Sequence, residues 1–141
     1  MKVLIIGCGR VGSTIALQLL EEGWEVTVID ENEDALSRLG ENWRGAFLVG
    51  HGMDTDLLRA GGIEEADAVV VATDGDNTNI VIGQVAQKRF GVECTVIRIL
   101  DPARAKFYNE RGLRAVSPTK TAIEFLGDAV RACAVPVRAA T

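Results

Sequence analysis

Apolar residues come in short runs separated by stretches in which they recur every four positions, and this alternation repeats along most of the chain. "KVLIIG" (2–7) is a continuous apolar run ending in glycine, the pattern of a strand buried on both faces. From Arg10 to about Glu22, Val11, Ile15 and Leu19 recur every four residues with Ala16 and Leu20 beside them, which predicts a helix stopped by Gly23. "WEVTVID" (24–30) alternates and is rich in β-branched residues, so a second strand follows. The same reading gives a short helix over 32–39, a strand at 46–50, a helix over 54–60, a strand at 66–73 and a helix over 77–90. A fifth strand at 94–100, a helix over 103–111 and a short sixth strand at 114–117 complete the alternation. Ser117 as N-cap and Pro118 at the first helical position then open a helix with an apolar stripe of Ala122, Leu126, Ala129, Val130 and Cys133. The closing "AVPVRAAT" reads as a frayed tail.

Six strands separated by helices of crossover length predict an α/β fold with a parallel sheet and right-handed connections. The order 3-2-1-4-5-6 is that of the doubly wound dinucleotide-binding (Rossmann) fold. Ligands there bind outside the carboxyl ends of the strands, where the order reverses between the first and fourth. The loops on that side begin at Gly7, Asp30, Gly50, Thr73 and Leu100.

The first of these loops carries the strongest chemical signal. Gly7-Cys8-Gly9-Arg10-Val11-Gly12 fits G-x-G-x-x-G, follows a strand, opens a helix and has an acid, Asp30, about twenty residues on. Gly7 serves the tight turn, Gly9 lets a pyrophosphate approach the backbone, and Gly12 permits close packing of helix on strand. The free N–H groups and dipole of the helix N-terminus hold the anion. Asp30 is placed to bond ribose hydroxyls and its charge opposes a 2′-phosphate, so NAD or an adenine nucleotide is favoured and NADP disfavoured. Glu31 and Asn32 either join it at the ribose or only begin the next helix. Arg10 is a cation in a first turn, where the dipole opposes it, so a phosphate partner is expected at about 1.5–3 kcal/mol per charge-assisted bond. Two further loops face the same side: 49–58, with His51, Gly52 and Met53, and 72–83, with Thr73, Asp74 and Asn79. Their small and polar residues suit a ligand's edges and equally suit turns.

Composition narrows the classes. A formal net charge of −5 argues against a nucleic-acid partner and against docking on an anionic bilayer. The longest strongly apolar run, "AVVVA" at 68–72, falls far short of the ~20 residues of a membrane span, so direct membrane insertion is not expected. The N-terminal apolar stretch is too short for a secretory signal and is interrupted by glycine and arginine, which leaves a first strand. Cys8, Cys94 and Cys133 are odd in number and lack zinc spacing, fitting a reduced, cytoplasmic protein. Cys8 is read as a small loop residue, with a redox-sensitive role as the alternative. No catalytic residue and no metal ligand set is assigned: His51 is the sole histidine, Gly112 stands where a Tyr108-x-x-x-Lys pair would need lysine, and G-x-S-x-G and a Walker lysine are both missing. A sensor without chemistry is therefore the first reading, an NAD-dependent oxidoreductase fragment or subunit the second, and an S-adenosylmethionine-dependent methyltransferase the third.

"IIGCGRVGSTIA", "VTVIDENED", "VGHGMDTDLLRAGGIEEADAVVVATDGDNTNI", "VIRILDP" and "RGLRAVSP" together resemble the RCK N-terminal (TrkA-N or KTN) domain family over about residues 1–118. The resemblance implies a cytoplasmic regulator of potassium channels and transporters, binding NAD(H) or ATP/ADP/AMP without turning it over. It implies a homodimer that assembles further into a ring beside a membrane potassium transporter or channel subunit. It gives Gly7, Gly9 and Gly12 the phosphate loop, Asp30 the ribose, and Arg10 the terminal phosphate of ATP, often across the dimer. Asp74 and Asn79 fall in a loop likened to the family's t-x-D-x-x-N pattern, and Arg98 matches its fifth-strand arginine. The expected organisation is a nucleotide-binding unit at 1–118, a crossover or dimerisation helix at 119–134 and a tail at 135–141. Two departures stand out: Gly50-His51-Gly52 replaces the usual Gly-Asp-Ala or Gly-Asp-Gly, and the family's C-terminal RCK domain does not follow. The second suggests either an excised domain or a chain that works as a short subunit.

Overall fold

A computed structural model of the chain describes residues 1–139, with side chains described to residue 134. Its six strands are β1 (Lys2–Ile6), β2 (Glu25–Asp30), β3 (Ala46–Val49), β4 (Ala68–Val71), β5 (Cys94–Arg98) and β6 (Arg114–Val116). They form one sheet in the order β3-β2-β1-β4-β5-β6, with every pairing parallel. This is the doubly wound arrangement expected from the alternation.

β1 lies in the middle because it can be buried on both faces. Leu4 and Ile6 join Ile29, Leu58, Val69, Ile82 and Ile97 on one side of the sheet. Val3 and Ile5 join Cys8, Ala16, Val28 and Leu39 on the other. Burying a side chain of this type stabilises by about 1.5–3 kcal/mol, so the four core residues of β1 anchor the fold.

The helices are α1 (Arg10–Glu21), α2 (Thr55–Ala60), α3 (Asp76–Gln84), α4 (Pro102–Asn109) and α5 (Pro118–Ala139). α1 packs through Gly12, Ser13 and Ala16, while Val11 at its start stays 42% exposed. Small residues let it lie close to the sheet, so its buried face is narrower than the periodicity suggested.

Three elements differ in detail from the sequence expectation. The segment Glu33–Leu39 is a 3₁₀ helix, capped by the Asn32 side chain, which accepts from the Asp34 N–H at 2.9 Å. The helix expected over 77–90 leaves α geometry at Gln84 and finishes as a π-helical turn, Val85–Arg89. α5 runs on to Ala139, through most of the stretch expected as a tail, and the last two positions of that stretch lie outside the described residues. Its start matches expectation: Ser117 Oγ accepts from the Lys120 N–H at 3.1 Å.

Candidate nucleotide site

The ends of β1 and β4 part at the point where the strand order reverses, and glycine makes the parting possible. Gly7 takes φ +104°, and a Cβ there would stand 2.5 Å from the Ala72 carbonyl oxygen at the end of β4. Gly12 faces the same turn from the other side: a Cβ on it would meet the Gly7 carbonyl oxygen at 1.8 Å. The loop is thus pressed between strand and helix. The first N–H taken up in α1 is that of Ser13, which donates to the Gly9 carbonyl at 2.9 Å. The N–H groups from Gly9 to Gly12 precede that ladder, as at any helix N-terminus. α1 has no acidic residue in its first turn and no side-chain cap, so no carboxylate of its own competes for an incoming anion.

Asp30, at the end of β2, closes one side of the loop. Its Oδ2 accepts from the Cys8 N–H at 2.7 Å and its Oδ1 from the Asn32 N–H at 2.8 Å. Two backbone donors therefore fix the carboxylate's orientation while lone pairs remain for hydroxyl donors. The Cys8 thiol lies buried with 3.4 Å to the Ala35 carbonyl. Burial pushes its pKa up, the Asp30 charge adds to that, and the Arg38 guanidinium opposes it.

A cleft of about 720 Å³ opens over this loop, within the range of small-molecule sites. Of the residues singled out from sequence, Gly7, Gly9, Arg10, Val11, Asp30, Glu31, His51, Gly52, Thr73, Asp74 and Arg98 line it. Cys8, Gly12, Met53 and Asn79 are not among its lining residues. Cys8 contributes backbone only, Gly12 supports the loop from beneath, and Met53 is 46% exposed beside it.

Asn79 is fully buried and joins the β4 and β5 exits. Its Oδ1 accepts from the Thr73 N–H at 3.0 Å and from the Thr73 hydroxyl, and its Nδ2 donates to the carbonyls of Thr73 and Arg98 at 3.1 and 2.9 Å. The Arg98 side chain lies along the same loop: Nη2 donates to the Thr73 carbonyl and stands 3.8 Å from Asp74 Oδ1, while the buried Nε has no partner among the described residues.

Three features escaped the sequence reading. His51, for which no partner was evident, has Glu31 Oε1 at 3.0 Å from Nε2 and accepts the Met53 N–H on Nδ1 at 3.1 Å. The pair ties the loops after β2 and β3 together. Asp76, not Asp74, stands three residues before Asn79 as a D-x-x-N spacing requires; its carboxylate accepts from the Leu100 and Asp101 N–H groups at 2.9 and 3.3 Å. The spacing itself could have identified it. Arg38 also lines the cleft and donates from Nη1 to the Cys8 carbonyl at 3.1 Å, a contact across thirty residues that no local pattern signals.

A glycine loop, a fixed acid after β2 and a cleft at the reversal of a 3-2-1-4-5-6 sheet define a nucleotide-binding domain of the Rossmann class. Within that class the chain belongs to the TrkA-N domain family, whose model matches residues 3–118. It is 43% identical over 120 residues to the Trk system potassium uptake protein TrkA of Streptomyces coelicolor, covering 85% of this chain and 54% of that one. The chain thus spans about half the length of that relative. Among solved structures it is similar to the Kef C-terminal domain of Shewanella denitrificans in its AMP-bound form, with a TM-score of 0.79 at 23% identity over 95% of this chain and 82% of that one. It is also similar to the GsuK channel bound to NAD, with a TM-score of 0.75 at 23% identity over 90% of this chain and 22% of that one. At these identities the structural likeness speaks for the fold.

Proposed function

We propose that the chain is the nucleotide-sensing part of a cytoplasmic regulator of potassium transport. It binds NAD(H) or an adenine nucleotide (ATP, ADP or AMP) at the glycine loop without turning it over. The observation that carries this reading is the Asp30 carboxylate, locked by the Cys8 and Asn32 N–H groups at the mouth of a helix N-terminus that lacks any acid of its own. Family membership and the potassium-uptake name of its relatives supply the context. In this reading residues 1–118 bind the nucleotide and 119–134 form a helix for a second copy. Gly7, Gly9, Arg10, Val11 and Gly12 hold the phosphates. Asp30 takes the ribose with Glu31 beside it, His51, Gly52 and Met53 lie toward the adenine, and Thr73, Asp74 and Arg98 across the cleft. Cys8 supports these groups through its backbone N–H and carbonyl, and Asn79 through its side-chain amide. A potassium channel or transporter in the membrane is the partner, and no helix among the described residues is long and apolar enough to cross a membrane itself.

Regulation requires that the ligand bind two assembly states with different affinity. α5 is suited to report such a difference. Ile123, Phe125, Leu126 and Val130 are each more than 60% exposed on it, a patch that another copy of the chain would cover. Light scattering is expected to show a dimer or a larger ring; a strict monomer at high concentration would remove this route of coupling.

The binding reading is tested by thermal shift with NADH, NADPH, ATP, ADP and S-adenosylmethionine. A ligand at 100 times its Kd adds about 2.7 kcal/mol of stability. NADH or the adenine di- and triphosphates are expected to raise Tm, NADPH to do little, and Asp30→Ala to abolish the response. A strong preference for NADPH would contradict the role given to Asp30, and sustained NADH oxidation with an acceptor would overturn the sensor reading in favour of an oxidoreductase.

A further inference from the structure

Cys8, at the tip of the glycine loop, is held by three of its own groups, all bonded to the segment from Asp30 to Arg38. Its N–H donates to Asp30, its thiol faces the Ala35 carbonyl, and its carbonyl accepts from Arg38 Nη1 at 3.1 Å. Arg38 stands in the last turn of the 3₁₀ helix, where a cation merely complementing the helix dipole could extend into solvent. Instead it folds back over the loop and forms part of the cleft wall. A guanidinium has five N–H donors in a planar fork, and the Cys8 carbonyl takes only one bond of this set. The ion pairs among the described residues include Arg98 with Asp74 but neither Arg38 nor Arg10. The cleft therefore carries two arginines without a carboxylate partner, one at each side of the glycine loop.

Building on the nucleotide reading above, we infer that Arg38 is a second ligand-binding cation of this cleft. It holds the Cys8 carbonyl with one N–H and presents the others to the 5′-phosphate chain of the nucleotide. Arg38 approaches from the segment after β2, as Arg10 does from α1. A 2′-phosphate on the ribose is the other anion within its chemistry, and the neighbouring Asp30 carboxylate opposes it. The consequence is a charge-graded affinity: the contribution of Arg38 grows with the number of 5′-phosphates, because a planar guanidinium bonds phosphate oxygens in pairs.

The test is calorimetry on the full chain and on Arg38→Gln and Arg38→Lys, with ADP and NADH titrated directly and adenosine and NADPH measured by competition. Arg38→Gln is expected to weaken ADP and NADH about 10- to 100-fold. It should leave adenosine within about threefold and lower the ligand-free Tm by no more than about 6 °C, the loss of one hydrogen bond to the Cys8 carbonyl. Arg38→Lys, which keeps the charge without the fork, is expected to recover part of the loss. Equal loss for adenosine and ADP would mean that Arg38 acts only by holding the Cys8 peptide, and would overturn the inference. So would unchanged affinity for every probe, or a loss confined to NADPH. Failure of the unaltered chain to bind any of the four would overturn the nucleotide reading itself, and this inference with it.

Discussion

Gly12→Ala is expected to lose about 3 kcal/mol of folding stability or more, with the nucleotide response gone, whereas Gly9→Ala is expected to fold normally and lose only the response. The difference lies in what each added methyl would meet. At Gly12 the Cβ would lie 1.8 Å from the Gly7 carbonyl oxygen and 2.9 Å from its carbon. These are backbone atoms, so no rotamer change relieves the clash and the turn itself must move. The turn is not free to do so: Gly7 donates its N–H to the Ile29 carbonyl at 2.8 Å, and its α-carbon faces the end of β4. At Gly9 nothing lies within 4 Å of the added Cβ, and φ −80° with ψ −162° suits alanine. The space it would fill is the cleft where a pyrophosphate would approach. Denaturant melts with and without ADP separate the two effects. A Gly12→Ala midpoint equal to that of the unaltered chain would show that the loop is looser than this packing requires.

The same pair shows why the fold was legible in sequence and where the legibility stopped. The run "KVLIIG" can only be satisfied by burial on both sides, so β1 had to be central, and the glycines after it had to serve a turn beneath a helix. Six strands joined by crossovers allow more than one doubly wound order, and the glycine loop after β1 with Asp30 after β2 singled out 3-2-1-4-5-6. Side-chain reach is another matter. Whether Arg38 extends into solvent or folds back to Cys8 depends on the 3₁₀ geometry of Glu33–Leu39, and that short sequence reads equally well as about two turns of α-helix. The His51–Glu31 pair joins two loops that become neighbours only once β2 and β3 are in register, Asp30 beside Val49. Asn79 is the converse case. A polar residue in a switch-side loop reads as a ligand contact, yet here it is consumed wholly by protein groups. The π-helical turn at Val85–Arg89 has no marker in the local sequence.

Asn79→Ala is expected to cost about 2–4 kcal/mol and to lower Tm by roughly 10 °C. The side chain is fully buried, and all its bonding capacity within reach is committed: two acceptor bonds from Thr73 and one donor bond each to the carbonyls of Thr73 and Arg98. Truncation takes the acceptor from the Thr73 N–H and hydroxyl and the Asn79 donor from the Arg98 carbonyl, while the Thr73 carbonyl keeps Arg98 Nη2; each group left unpaired in such a place costs about 1–3 kcal/mol. The damage spreads to the cleft, since Thr73 and Arg98 both line it and the Arg98 guanidinium rests on the same Thr73 carbonyl. Nucleotide affinity should therefore fall along with stability. Asn79→Asp sharpens the point: it keeps shape and acceptor but replaces two donors with an oxygen facing two carbonyls, and it is expected to be no better than alanine. An Asn79→Asp protein as stable as the unaltered chain would show that the amide donors contribute nothing, and the polar link between the β4 and β5 exits would have to be abandoned as a source of the cleft's shape.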